Sequence, residues 1–386
     1  MKTCDAIVIG AGSVGCPAAY FLAEKGLHVI VLEKRASCGQ GENKAAIGGV
    51  RATHSDPAKI EICKQSLQIF STWKEKHGFD IEWKFGGYCF PVYTETLEYK
   101  LKNLLKIQKG FDLDIDWVDE KHIAQLVPGI EKTDLRGGTY SPGDGQASPM
   151  LAMEGFRRAA VEKHAEFRFR EPVVEIEVQN GKIQTITTTK DTYIAPLVLN
   201  ASGSNAEQTG ALCGIHIPVT PDSHEAGISA PVARFLDPLV VDMRPGPEGR
   251  TANFYFGQNN LGQIIFCYTP IEPIIGNDRR ETSEFLPVVS RRLFQLMPRL
   301  RNLLVRRVWR GLYPMTPDGV PIMSGVEEIE NLYLAVGMCG QGFMLGPGVG
   351  LNMASLMVDG HPAIDKDVFD KLSFNRNYTR SAEVLK

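Results

Sequence analysis

The stretch that most constrains this chain is 6–33. Residues 6–9 are a short apolar, β-branched run that reads as a buried strand. Gly10, Gly12 and Gly15 follow in GxGxxG spacing and open a helix carrying Pro17, Ala18, Ala19, Phe21 and Leu22. Gly26 stops that helix, and 28–32 reads as a second strand ending in Glu33. The glycines serve different ends. Gly10 allows the tight turn, Gly12 lets the backbone approach a pyrophosphate, and Gly15 lets helix and strand pack closely. The helix N-terminus presents unpaired N–H groups and partial positive charge to phosphates. A carboxylate at Glu33 is placed to accept from ribose hydroxyls. Ser13 and Val14 inside the loop, and Lys34 just beyond Glu33, are expected to border the same ligand. With strand, helix, second strand and terminal acid in order, dinucleotide binding is the reading. A Gly-rich turn in an ordinary α/β domain is the bland alternative, and the unit alone leaves open which dinucleotide is held.

At 386 residues the chain is long enough for two domains. Its 43% hydrophobic content supports a sizeable core, and a net charge of −3 without a Lys/Arg run argues against nucleic acid as a partner. No uninterrupted apolar stretch reaches the ~18 residues of a membrane helix. The eight cysteines (4, 16, 38, 63, 89, 213, 267 and 339) contain no CxxC pair. They read as reduced thiols of a cytoplasmic protein, with no metal site.

Along the chain, 34–56 is a long Gly-, Ser- and Ala-rich loop beside the nucleotide site, where function concentrates. Asp56-Pro57 predicts an N-cap and N1 of an amphipathic helix to about His77. Aromatic alternation over 81–95 suits strands, and helices follow at 96–109, 119–126 and from Ser148-Pro149. Strands are predicted at 167–170, 173–178, 182–188 and 193–200, with Asn180-Gly181 as a hairpin turn. Residues 214–270 are strand-rich, with 253–256 and 263–268 paired across 259–262. A helix is expected at 281–296, strands at 305–312 and 332–336, and a last helix from within 340–350 to Gly360. Glycine-rich strand-to-helix junctions recur at 10–15, 200–206 and 337–350. The economical α/β organisation is one nucleotide domain in three segments (1–80, 144–212 and 300–386) with a mostly antiparallel substrate domain inserted as 81–143 and 213–299.

With these stretches in hand, the chain resembles the D-amino-acid-oxidase superfamily, in the branch of sarcosine oxidase beta subunits, glycine oxidase and dye-linked proline dehydrogenase. The likeness rests on the N-terminal motif, Asp144-Gly145-Gln146, LVLNASGSNA at 197–206, WRGLYPMTPDGVPIMSG at 309–325 and NLYLAVGMCGQGFMLGPGVG at 331–350. It implies a Rossmann-like FAD-binding domain and FAD, held noncovalently, at Gly10, Gly12, Gly15 and Glu33. It implies adenine against the Val173 backbone, Ala201 and Gly203 beside the pyrophosphate, and Gly340, Gln341, Gly342, Phe343 and Met344 against the isoalloxazine, with Gly311 nearby. A helix start there suits the negative charge of reduced flavin. Relatives with covalent flavin use a cysteine near the TPD motif; this chain has none there, and Cys339 lies in the other loop.

The resemblance also implies that Arg51, ending the loop GGVR, holds a substrate carboxylate, which a planar guanidinium matches bidentately. Tyr313 stands where glycine oxidase and D-amino-acid oxidase carry an arginine, and Met344 where monomeric sarcosine oxidases carry a lysine, so the anchor must be Arg51 or another cation. Arg310, on the same strand as Tyr313, is the second cation candidate, although alternate strand positions face away. Tyr313 and Tyr255 are candidate pocket walls. His54 reads as a loop residue. The implied activity is oxidation of a C–N bond in a small amino or imino acid by hydride transfer to flavin N5, without a strong protein base. Electrons then pass to oxygen, a quinone or a partner subunit in a hetero-oligomer, which would set any peripheral membrane attachment. Two alternatives stand: a 2-hydroxy-acid or glycerol-3-phosphate dehydrogenase, disfavoured by Arg51 where those relatives place a histidine, and a non-catalytic flavoprotein subunit.

Overall fold

The computed structural model describes residues 1–379. Its nucleotide sheet has six strands in the order Glu166–Phe169, Val29–Glu33, Ala6–Ile9, Leu197–Asn200, Ile329–Val336 and Ile322–Val326. All neighbours are parallel except the last pair. The strand side chains alternate between two cores. Ala6, Val8, Val29 and Val31 pack under helices, while Ile7, Ile9, Ile30 and Leu32 face Ile176, Ile183 and Ile186 of a four-stranded sheet. Burial on both faces is why these strands read as continuous apolar runs rather than alternating ones.

The helix Gly15–Glu24 packs between Pro149–Glu162 and Gly342–Asp359, and Gly342–Asp359 also lies on Pro57–His77. Asp56 caps Pro57–His77 by accepting from the Ala58 and Lys59 N–H groups, with Pro57 at the first position and Gly78 closing it in left-handed conformation. Gly348 and Gly350 are packing positions: a side chain at either would meet the Ile62 carbonyl or the Pro17–Ala18 backbone.

A second sheet of eight strands runs Val305–Met315, Thr220–Pro231, Gln263–Pro270, Thr251–Gln258, Leu239–Asp242, Tyr88–Val92, Gly137–Ser141 and Asp116–Val118. It is antiparallel except between Leu239–Asp242 and Tyr88–Val92. The expected hairpin pairs Phe254 with Tyr268 and Phe256 with Phe266. Those phenylalanines pack against Phe285, Val289 and Leu293 of the helix Phe285–Leu296, so the intervening Tyr255 and Cys267 turn to the opposite face. A small sheet of Gly49–Val50, Gly145–Gln146 and Lys84–Phe85 ties the long loop to the segment after Asp144.

Three differences from the sequence reading have simple causes. The single strand expected at 193–200 is two, Thr192–Ile194 and Leu197–Asn200, in different sheets. Pro196 lies between them and cannot donate to a ladder. The strand Ile322–Val326, following the turn at 316–319, is absent from the sequence reading. The strand expected at 305–312 continues to Met315 and forms the outer strand of the large sheet. The segment 362–379 is polar but structured: Arg376 is bidentate to Asp318, at 2.8 and 2.9 Å, with both side chains almost wholly buried.

Candidate functional site

Between the two sheets lies a cavity of about 520 Å³ that draws on every glycine-rich junction. Its lining includes Gly10, Gly12, Ser13, Val14, Glu33 and Lys34, with Ala201 directly beside Gly10, and Gly203. Gly15 sits behind the loop, where a Cβ would overlap the Gly10 carbonyl oxygen. Gly12 is different: a Cβ there would meet no protein atom within 4 Å. The space beside it is therefore open to a ligand's approach. Glu33 accepts from the Ala11 N–H at 2.8 Å and the Arg35 N–H at 2.7 Å, which orients its carboxylate and leaves lone pairs for further donors. Lys34 donates to Asn205 at 2.8 Å, and burial lowers its pKa. Asn43 Oδ1 is buried here with no hydrogen-bond partner in the protein. An elongated, polar, phosphate-bearing ligand such as FAD fits this donor and acceptor set.

Gly340, Gln341, Gly342, Phe343 and Met344 also line the cavity where the helix Gly342–Asp359 begins, beside Ser13: a Cβ at Gly342 would lie 3.0 Å from Ser13 Oγ. No side chain caps that helix. Across from it stand Tyr88, Phe90, Leu239, Val241, Tyr255 and Tyr313. The hydroxyls of Tyr255 and Tyr313 are 2.9 Å apart, and the Cys267 thiol donates to Tyr255 at 3.0 Å. Burial raises the pKa of both phenols, so they are neutral walls. The His224 ring stacks on Tyr313 with centroids 3.7 Å apart at 14°. His224 Nε2 lies 3.1 Å from Asp222 Oδ2, while its Nδ1 is buried with no partner in the protein. Burial alone would raise the Asp222 carboxyl, but His224 and the Ile274 and Ser223 N–H groups hold it below its usual range.

Arg51 also lines the cavity and is 5% exposed. Its Nη1 donates to the Thr53 carbonyl at 2.6 Å, and the guanidinium lies over Phe90. The small sheet sets Asp144 beside it, accepting from the Ala52 N–H at 2.9 Å and Thr53 Oγ1 at 3.2 Å. Burial pushes the Asp144 carboxyl up to about 6, against the pull of the Ala52 N–H and the Arg51 charge.

Gly311 and Tyr313 reach the cavity, whereas Arg310 is not among its lining residues: Arg310 Nη1 donates to the Arg280 carbonyl at 3.1 Å. Strand alternation turns it from the face that Tyr313 presents. Val173 lies outside the cavity too, although the preceding Pro172 borders a separate recess with Lys34 and Arg35. His54 is fully buried, 3.5 Å from the Cys63 sulfur. The sequence reading missed Asp222 and His224, whose i,i+2 spacing on one strand was the available signal, and Glu42 and Arg279, which meet across 237 residues with no local signature. All eight cysteines are free, and among the described residues no cluster could hold a metal and no helix is long and apolar enough to cross a membrane.

Comparison with known proteins agrees with this geometry. A family profile described as FAD dependent oxidoreductase matches residues 5–356. Mouse (Mus musculus) mitochondrial sarcosine dehydrogenase is 24% identical over 396 aligned positions, covering 98% of this chain and 42% of that protein, so the chain spans less than half of that relative's length. Glycine oxidase of Geobacillus kaustophilus is 26% identical, covering 94% of each chain. The crystal structure of L-proline dehydrogenase from P. horikoshii superposes with a TM-score of 0.91 at 30% identity, covering 97% of this chain and 98% of that one. A nucleotide sheet with an open Gly12 approach, a cavity running to an uncapped helix start, and a match across nearly the whole chain lead to one assignment: this protein belongs to the family of FAD-dependent oxidoreductases that includes the D-amino-acid oxidases.

Proposed function

We propose that this protein oxidises the carbon–nitrogen bond of a small amino or imino acid carrying one carboxylate. The observation that carries this reading is Arg51, a buried guanidinium lining the same aromatic-walled cavity as Gly340 to Met344. Bound noncovalently, FAD supplies the two-electron acceptor for the hydride leaving the substrate's α-carbon. The chain's own residues then position and desolvate. Arg51 matches the carboxylate, and Tyr88, Phe90, Tyr255 and Tyr313 exclude water around the α-carbon. With the Nε2–H tautomer of His224 donating a hydrogen bond to Asp222, Nδ1 is an acceptor for an amine N–H. The names of the relatives, sarcosine dehydrogenase, glycine oxidase and L-proline dehydrogenase, support secondary and primary amino acids as the substrate class.

In this proposal residues 1–80, 144–212 and the described part of 300–386 hold the cofactor, except that the strand Val305–Met315 joins the sheet of 81–143 and 213–299 that roofs the substrate. Any electron carrier beyond the flavin belongs to oxygen, a quinone or a partner subunit; the similarity to sarcosine oxidase subunit beta of Rhizobium meliloti, 23% identical, supports a heteromer. The test is anaerobic titration of the yellow protein with glycine, sarcosine, proline, hydroxyproline and D-amino acids, followed at the flavin band. Bleaching by at least one of them is expected; no bleaching by any would refute the amine reading.

A further inference from the structure

The segment 271–284 borders the cavity through Ile271, Pro273 and Arg279, most of its residues are exposed, and three carboxylates fasten it. The Ile274 N–H donates to Asp222 at 2.7 Å, and the Thr282 N–H and hydroxyl donate to Glu225 at 2.7 Å each. Both of these anchors belong to the strand Thr220–Pro231 of the same sheet. The third is different in kind. Arg279 reaches Glu42, in the loop that leaves the nucleotide-binding unit, with Nη1 at 2.9 Å from Oε2 and Nη2 at 2.5 Å from Oε1. Glu42 also accepts from Ser204 Oγ at 2.8 Å and the Leu312 N–H at 2.9 Å. One carboxylate thus gathers four otherwise separate segments, and Glu42, Ser204, Arg279 and Leu312 all line the cavity.

We propose that the Glu42–Arg279 pair is a cofactor-retaining clasp: it fastens 271–284 over the dinucleotide and sets how long FAD stays bound. The geometry favours retention of the cofactor over gating of the substrate. The pair ties the segment to two nucleotide-side elements, the loop after Glu33 through Glu42 itself and the 200–206 junction through Ser204, and it meets the strand of Tyr313 only at the Leu312 backbone N–H. It is also strong enough to matter, being bidentate and charge-assisted, with side chains only 32% and 21% exposed. Those exposures leave the pair open to screening by salt. Opening it would release the only one of the three fastenings that crosses to the nucleotide loop, without disturbing the sheet.

The experiment follows release of FAD from the purified holoprotein by the rise in flavin fluorescence after dilution, at low salt and in molar KCl. Glu42→Gln keeps an acceptor for the Leu312 N–H and removes the charge; Arg279→Met keeps the length and removes the guanidinium. Each is expected to speed release about tenfold, the scale of one charge-assisted contact. The double variant should be no faster than either single one, because both remove the same clasp. High salt should speed release from the parent and leave the variants unchanged. The swap Glu42→Arg with Arg279→Glu, which restores the attraction, should recover much of the slow release, and the melting temperatures of the apoproteins report folding independently. Release from Arg279→Met within twofold of the parent, additive single effects, or a lowered apoprotein melting temperature with unchanged release would each overturn the proposal.

Discussion

Gly12 and Gly15 belong to one motif, yet the structure predicts opposite consequences for the same substitution. At Gly12 the backbone is outside the left-handed region and a methyl group would touch nothing within 4 Å. Gly12→Ala should therefore fold, and lower unfolded-chain entropy should stabilise the apoprotein by about 0.4–1 kcal/mol. The methyl group would instead occupy the space into which a pyrophosphate must come. Loss of two charge-assisted backbone contacts at about 1.5 kcal/mol each gives about 3 kcal/mol, roughly a hundredfold weaker FAD binding. At Gly15 the methyl group would overlap the Gly10 carbonyl oxygen and press on Val8, so the helix must move off the central strand. Overpacking of that kind costs about 3 kcal/mol before any ligand is present. The assay is a pair of measurements on apoprotein: thermal melting, then FAD titration by quenching of flavin fluorescence. Gly12→Ala should melt with the parent or slightly above it and bind poorly, whereas Gly15→Ala should melt lower. A Gly12→Ala protein that binds FAD as tightly as the parent would refute the placement of the pyrophosphate, and one that melts several degrees lower would refute the packing argument.

Other consequences are testable with the same protein. Arg51→Lys keeps the charge but loses the planar fork, so KM for a carboxylated donor should rise about tenfold with a smaller change in kcat, read from steady-state dye reduction. Asp144 has a folded pKa of about 6 against an ordinary 3.8, so its protonated form is the one the fold favours. That contribution is fully present below about pH 4 and lost as pH rises through 6, about 3 kcal/mol in all. Asp144→Asn should accordingly gain in melting temperature relative to the parent between pH 4 and pH 7; a constant difference would contradict it. Arg376→Met strands the buried Asp318 carboxylate and should cost about 3–5 kcal/mol in a denaturant melt. Acid precipitation should release all the flavin into the supernatant, because attachment is noncovalent; retained colour in the pellet would contradict this.

What was legible in the chain was whatever repeats locally. The strand–glycine–helix unit at 6–33, the cap at Asp56-Pro57, the Asn180-Gly181 turn and the aromatic hairpin all appear where short-range rules place them. The split at Pro196 was legible too, had the missing N–H been weighed against the apolar run around it. Arg51 was named through the family resemblance, but its buried neighbour Asp144 joins it only through the pairing of Val50 with Gly145. The Asp222–His224 pair was offered by its i,i+2 spacing on one strand, whereas the Glu42–Arg279 contact needs the full sheet order before it exists at all. Alternation would have turned Arg310 away from Tyr313, and the structure shows the same thing in its contact with the Arg280 carbonyl.

The order of the nucleotide sheet has a consequence for how the protein is made. Its central strand Leu197–Asn200 pairs on one side with Ala6–Ile9, translated well before it, and on the other with Ile329–Val336, translated only after the whole of 213–299. While the ribosome is still working through the substrate region, the nascent polypeptide carries an open apolar edge that nothing already synthesised can cover. Such an edge is a template for wrong partners. Yield in the cell should depend on chaperone capacity during that interval more than on the stability of the finished fold.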